Sequence, residues 1–146
     1  MGTKSSIDQL NHFLRGEISA VETYRMALDK LEPASPARGE VETCMQSHAS
    51  RVTLLREAIL AAGGTPVDSS GPWGAFAKAV EGGARVLGDK AAIAALEEGE
   101  DHGVKDYRSD VAELDAQTQS LIVSRLQPEQ QQTHNRMSAL KKRLSA

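Results

Sequence analysis

Gly16-Glu17-Ile18-Ser19-Ala20-Val21-Glu22-Thr23-Tyr24-Arg25 decides how this chain is read, because the chain carries the pattern twice. Eighty-three positions later stands Gly99-Glu100-Asp101-His102-Gly103-Val104-Lys105-Asp106-Tyr107-Arg108, with Gly, Glu, Val, Tyr and Arg at identical spacing. Tyr24 and Tyr107 are the only tyrosines, and each follows its glutamate by seven residues. A second echo trails each copy: Gln46-Ser47-His48 after the first and Gln132-Thr133-His134 after the second. The chain reads as two copies of one unit, each contributing one glutamate and one histidine.

Outward from the first copy, apolar residues at alternating three- and four-residue steps predict a helix over 5–31,. Its stripe is Ile7, Leu10, Leu14, Glu17, Val21, Tyr24, Leu28 and Leu31, with Glu17 the one charged member. Ser6 and Gln9 have the spacing of a capping box, and Pro33 and Pro36 close the far end,. A second helix is expected over 37–63, with Ser35 as cap, Pro36 at the first position and Gly63-Gly64 as the stop,. Its stripe, Val41, Met45, His48, Val52, Leu55, Ile59 and Ala62, has His48 as the polar intruder. The turn between these helices is short, so they pack antiparallel and bring Glu17 opposite His48 near mid-length.

The second copy repeats the arrangement. A helix from Asp89 to about 114 carries Ile93, Leu96 or Glu97, Glu100, Val104, Tyr107, Val111 and Leu114 on its inner face. A fourth helical region over 116–144 carries Leu121, Ile122, Leu126, His134, Met137, Leu140 and Leu144, with a kink or break predicted at Pro128,. Between the halves, 64–72 is a loop, and the stretch from Trp73 with Phe76 predicts a short helix interrupted at Gly82-Gly83 and ended at Gly88,. That connection is too long for a turn and suits a crossover along a bundle. The expectation is an all-α chain: one domain over 1–146, a four-helix bundle of two related hairpins joined by a long crossover with a short helix.

Bulk properties narrow the function. The 146 residues carry a net charge of −3 with both signs mixed, which provides no basic field for nucleic acid or an anionic membrane,. No apolar run reaches the ~18–20 residues of a membrane span, and Met1-Gly2-Thr3-Lys4-Ser5 has no signal-peptide core,. The single cysteine, Cys44, fits a reducing compartment, so a cytoplasmic protein is expected,. No nucleotide-binding loop or nucleophile motif is present.

Glu17, His48, Glu100 and His134 are thus expected to converge from four helices. Two histidines and two carboxylates suit iron, manganese or zinc. Two carboxylates in a dry core also repel unless a cation or proton intervenes. The same residues could equally satisfy each other through charge-assisted hydrogen bonds with no metal, as a network that fixes helix register. Glu97, one turn before Glu100, is a substitute oxygen ligand if that helix rotates slightly. Tyr24 and Tyr107 read as seam residues whose hydroxyls need one partner each, or as groups capping the carboxylates. Cys44 reads as a small buried thiol, or as a soft ligand at the same centre. His12 and His102 read as exposed, with Glu98 and Asp106 flanking His102.

The Leu-Arg-Gly-Glu-Ile-Ser-Ala-Val-Glu-Thr-Tyr-Arg opening at 14–25, Ser-Gly-Pro-Trp-Gly at 70–74 and Glu-Glu-Gly-Glu-Asp-His-Gly at 97–103 give the chain a wider likeness. It resembles the ferritin-like superfamily, and more closely the small bacterial ferritin-like families of unknown function, over nearly its whole length. The resemblance implies that Glu17 and Glu100 match terminal glutamate ligands and that His48 and His134 match the family's histidines. Where the family's Glu-x-x-His motifs place bridging glutamates, this chain has Met45 and Gln131,. That departure argues against di-iron oxidase or ferroxidase chemistry. It leaves either one metal held by Glu17, His48, Glu100 and His134, in a metal- or stress-related role, or a non-catalytic structural or interaction bundle with an emptied site. Monomer and homodimer are both compatible with this length.

Overall fold

The computed structural model describes residues 2–70 and 88–145, and the expected short helix with Trp73 and Phe76 lies outside the described residues. Among the described residues all regular structure is helical. Helix α1 spans Lys4–Lys30, α2 Arg38–Ala61, α3 Asp89–Asp106, α4 Ala116–Leu121 and α5 Gln127–Ser145. A 3-10 turn covers Val111–Glu113, and a π-helical segment, Ile122–Leu126, joins α4 to α5.

The helix ends follow from local hydrogen bonding, with some corrections to the sequence reading. Thr3, not Ser6, caps α1, accepting from the Ser6 backbone N–H at 3.1 Å. Ser6 instead ties the start of α1 to the start of α4, its buried hydroxyl accepting from the Asp115 N–H at 3.1 Å. Ser35 is spent on the turn ahead of α2, accepting from the Ala37 N–H at 3.2 Å, so α2 begins at Arg38. Gly63 stops α2 as expected, in the left-handed region at φ 87°. Gly64 then donates to the Ile59 carbonyl at 2.9 Å,.

Two further ends lie beyond periodicity. Helix α3 stops at Asp106, not near 114: the Arg108 and Ser109 N–H groups bond to carbonyls three residues back, and Asp110, left-handed at φ 57°, then turns the chain into the 3-10 segment,. Asp115 then caps α4, accepting from the Thr118 N–H at 2.9 Å,. At Pro128 the helix neither breaks nor ends. Proline has no N–H to give and crowds the carbonyl four residues back. The preceding turn opens to π geometry, with the Gln127 N–H bonded to the Ile122 carbonyl, and the helix continues,.

Two apolar clusters fix the directions of the helices. One joins Tyr24 and Ala27 late in α1, and Leu31 just past its end, with Val41 and Cys44 early in α2, Ile93 and Leu96 early in α3, and Met137 and Leu140 late in α5. The other joins Leu10, Phe13 and Leu14 with Leu55, Ile59, Tyr107, Ile122 and Leu126. α1 and α2 are therefore antiparallel, α3 and α5 are antiparallel, and α2 and α3 run the same way. The connection from α2 to α3 joins opposite ends of the bundle. No helix among the described residues is long and apolar enough to cross a membrane.

The seams differ from the expected stripes: on α1 Ile7, Val21 and Leu28 are half-buried while Phe13, Ala20 and Ala27 are buried, and on α3 Val104 is half-buried. On α2 the buried positions are Val41, Cys44, His48, Arg51, Leu55 and Ile59, so Cys44 and Arg51 replace Met45 and Val52. From the π segment through α5 they are Ile122, Leu126, Gln130, Thr133, Met137 and Leu140. Between the two apolar clusters lies one buried polar layer: Glu17, His48, Arg51, Glu100, Gln130 and Thr133.

Candidate functional site: a closed polar layer

Three of the four expected residues, Glu17, His48 and Glu100, meet in this layer. His48 is fully buried and lies between the two carboxylates. Its Nδ1 is 2.5 Å from Glu17 Oε1 and its Nε2 is 2.6 Å from Glu100 Oε2. An imidazole can donate from both nitrogens only when protonated, so this geometry calls for an imidazolium.

His134 is not in the layer. It stands one position past Thr133 on the flank of α5, with Nε2 3.5 Å from Glu97 Oε2 and 3.8 Å from Asp101 Oδ1. Its Nδ1 is buried with no hydrogen-bond partner among the described residues. Glu97, the expected substitute ligand, is turned to this flank too, where Lys141 approaches it at 3.5 Å.

On α5 Gln130 and Thr133 face the layer in place of His134, and Arg51 reaches into it from α2. Its guanidinium is fully buried, with Nη1 donating to Glu17 Oε2 at 3.2 Å and to Gln130 Oε1. Nη2 donates to Thr133 Oγ1 at 3.1 Å and Ser47 Oγ at 3.2 Å, and Nε to the Ser47 carbonyl at 3.4 Å. Gln130 and Thr133 turn their remaining donors to Glu100 Oε1, at 2.8 and 2.6 Å. Gln130 also donates to the Glu100 backbone carbonyl at 2.9 Å. Gly103 makes room for that amide, since a Cβ there would lie 2.5 Å from Gln130 Nε2.

The tyrosines complete the layer by exchange. Tyr24, from the first copy of the repeat, donates to Glu100 of the second. Tyr107, from the second, donates to Glu17 Oε2 of the first at 2.5 Å. All four carboxylate oxygens thus accept at least one hydrogen bond.

Electrostatics follow the geometry. Burial penalises the Glu17 carboxylate, but Arg51, His48 and Tyr107 outweigh it and hold its pKa below the ordinary value,. Glu100 is lowered likewise, burial being overcome by His48, Arg51 and Thr133. For His48, burial and Arg51 oppose the charge, and the two carboxylates prevail, so its pKa is raised. Both tyrosines are pushed well above the ordinary phenol value, first by burial and then by the carboxylates they bond. Two carboxylates, one imidazolium and one guanidinium sum to zero, so the layer is neutral as it stands.

The layer is also nearly sealed. A niche between Gly16 and Gly103 reaches Glu17, but its volume is about 10 Å³, room for one water at most,. His12 stands outside, its Nε2 2.9 Å from Asp106 Oδ1. Cys44 is buried near the layer, its Sγ 4.0 Å from the Thr133 carbonyl, with its pKa pushed up to about 12 chiefly by burial. Among the described residues no group of three or more His, Cys, Asp or Glu side chains is disposed to hold a metal ion.

Comparison with known protein families, curated proteins and solved structures finds no match. The residues that single-sequence reasoning missed are Arg51, Gln130 and Thr133. A strict alternation of three- and four-residue steps from Val41 reaches Arg51, and the same alternation from Leu126 reaches Gln130 and Thr133 rather than His134,.

Proposed function

We propose that the chain is a non-catalytic, ferritin-like structural or interaction bundle whose centre is complete without a metal ion. The observation that carries this reading is the pair of contacts made by His48: each ring nitrogen faces a carboxylate oxygen, at 2.5 and 2.6 Å. A histidine ligates a metal through a nitrogen lone pair. In this arrangement both nitrogens are committed as donors, and the residues do not fit an iron, manganese or zinc ion. Support for the ferritin-like assignment comes from two antiparallel hairpins joined by one long crossover, with matched glutamates on α1 and α3,. Among the described residues, the niche that reaches Glu17 has room for one water at most, which supports the non-catalytic reading,.

The test is metal content by mass spectrometry on untagged protein grown with iron, manganese and zinc, together with thermal unfolding in EDTA and in each added metal. The reading expects far less than stoichiometric metal and a melting temperature indifferent to either treatment. One metal per chain, lost in a Glu17→Ala/Glu100→Ala variant, would overturn it in favour of a mononuclear centre.

A further inference from the structure

Arg51 lies in a cage of oxygens. Glu17 Oε2, Gln130 Oε1, Thr133 Oγ1, Ser47 Oγ and the Ser47 carbonyl all accept from its guanidinium, at up to 3.4 Å. Those atoms come from α1, α2 and α5, and the guanidinium is wholly enclosed. A buried cluster of carboxylate, amide, hydroxyl and carbonyl oxygens is the donor set of a hard divalent cation.

We propose that Arg51 is a built-in cation and the residue that sets the selectivity of this centre. It occupies the oxygen cage and shuts out divalent ions that the cage would otherwise hold. The charge balance supplies the reason. With Arg51 in place, a divalent ion would bring the positive charge to three against two carboxylates, even with His48 uncharged, and an unpaired charge in a dry layer is strongly unfavourable. Without Arg51 the same ion meets two carboxylates and balances them once His48 gives up its proton, which the incoming positive charge favours. This inference rests on the metal-free reading of the native chain, and the experiment separates the two.

The probe is Mn(II), followed by loss of its free-ion electron paramagnetic resonance signal, on the full chain and three variants. Arg51→Met keeps the volume and removes the charge, Arg51→Ala also opens the cage, and Arg51→Lys keeps the charge. The expected result is no binding by the native chain or Arg51→Lys. Arg51→Met or Arg51→Ala takes up one Mn(II) per chain, which millimolar guanidinium displaces. Adding Glu17→Gln to either neutral variant should abolish uptake. Should the neutral variants be unfolded alone, folding on addition of Mn(II) supports the proposal. Failure to fold with and without Mn(II) overturns it. Uptake by Arg51→Lys equal to that of a neutral variant that binds Mn(II) also overturns it, as does absence of uptake by both folded neutral variants. Uptake by the native chain sinks the metal-free reading itself.

Discussion

His48 shows most directly how much depends on single side chains in the polar layer. Its imidazolium is shared by two buried carboxylates, so removing it alone leaves charges with no counterpart. His48→Leu should cost about 3–5 kcal/mol in urea unfolding. Replacing Glu17, His48, Glu100 and Arg51 by Leu, Leu, Leu and Met, with Tyr24 and Tyr107 by Phe, Gln130 by Leu and Thr133 by Val, should come much nearer to neutral, because the group removed carries no net charge and its polar partners leave with it. A combined variant as unstable as His48→Leu would refute that view of the layer. At Gly103 the constraint is steric: an added Cβ would lie 2.5 Å from Gln130 Nε2. That amide is pinned by hydrogen bonds to Glu100 and Arg51 and has little freedom to withdraw. Gly103→Ala should therefore destabilise by about 1–3 kcal/mol as overpacking, although alanine is the better helix former. Glu17, His48 and Glu100 were legible because each is the polar exception on an apolar stripe. Arg51 was not, because the same stripe admits Val52 as a seam residue, and an arginine enters a core only when its partners, here on α1 and α5, are known.

At the scale of the helix, the π segment is the feature that periodicity does not disclose. An extra residue in one turn rotates everything after it, and here the rotation lets α4 and α5 both keep inward faces: Thr118 before it, Ile122 and Leu126 within it, Gln130 and Thr133 after it. It also spares Pro128 a collision with the carbonyl four residues back. Deleting Val123, which is exposed in this segment, would restore α-helical spacing and impose that collision. The deletion should cost about 3 kcal/mol with Pro128 present and much less with Pro128→Ala, a coupling that a double-mutant cycle reads out. Equal costs in both backgrounds would mean that proline does not hold the π turn open. Helix existence and hairpin pairing were readable from Gly63, Pro33 and the apolar stripes, which are local signals. The early end of α3 was not, because the three-residue turns after Asp106 and the left-handed Asp110 are backbone events that leave no hydrophobic signature.

At the scale of the whole molecule, the layer makes stability depend on pH from both sides. Burial opposes the charge on each carboxylate, yet both have lowered pKa values. Their contribution is present above the ordinary 4.5 and lost as pH falls through the lowered values,. His48 is raised, so its contribution is complete below the ordinary 6.5 and lost as pH rises through the raised value,. Arg51, Tyr24 and Tyr107 face the same groups and keep their protons throughout. Urea midpoints should form a plateau between about 4.5 and 6.5 and fall on both sides, and His48→Leu should remove the alkaline fall. An unchanged alkaline limb in that variant would show that His48 is not the group responsible. The exchange of tyrosines has a consequence for how such a molecule could arise. Tyr24 serves the acid of the other half, and Tyr107 returns the contact. A lone hairpin of this design would hold an acid and a hydroxyl that cannot serve each other, yet fit a second copy of itself turned through a half rotation. The repeat in the sequence matches that exchange, each half lending the hydroxyl that the acid of the other half accepts from.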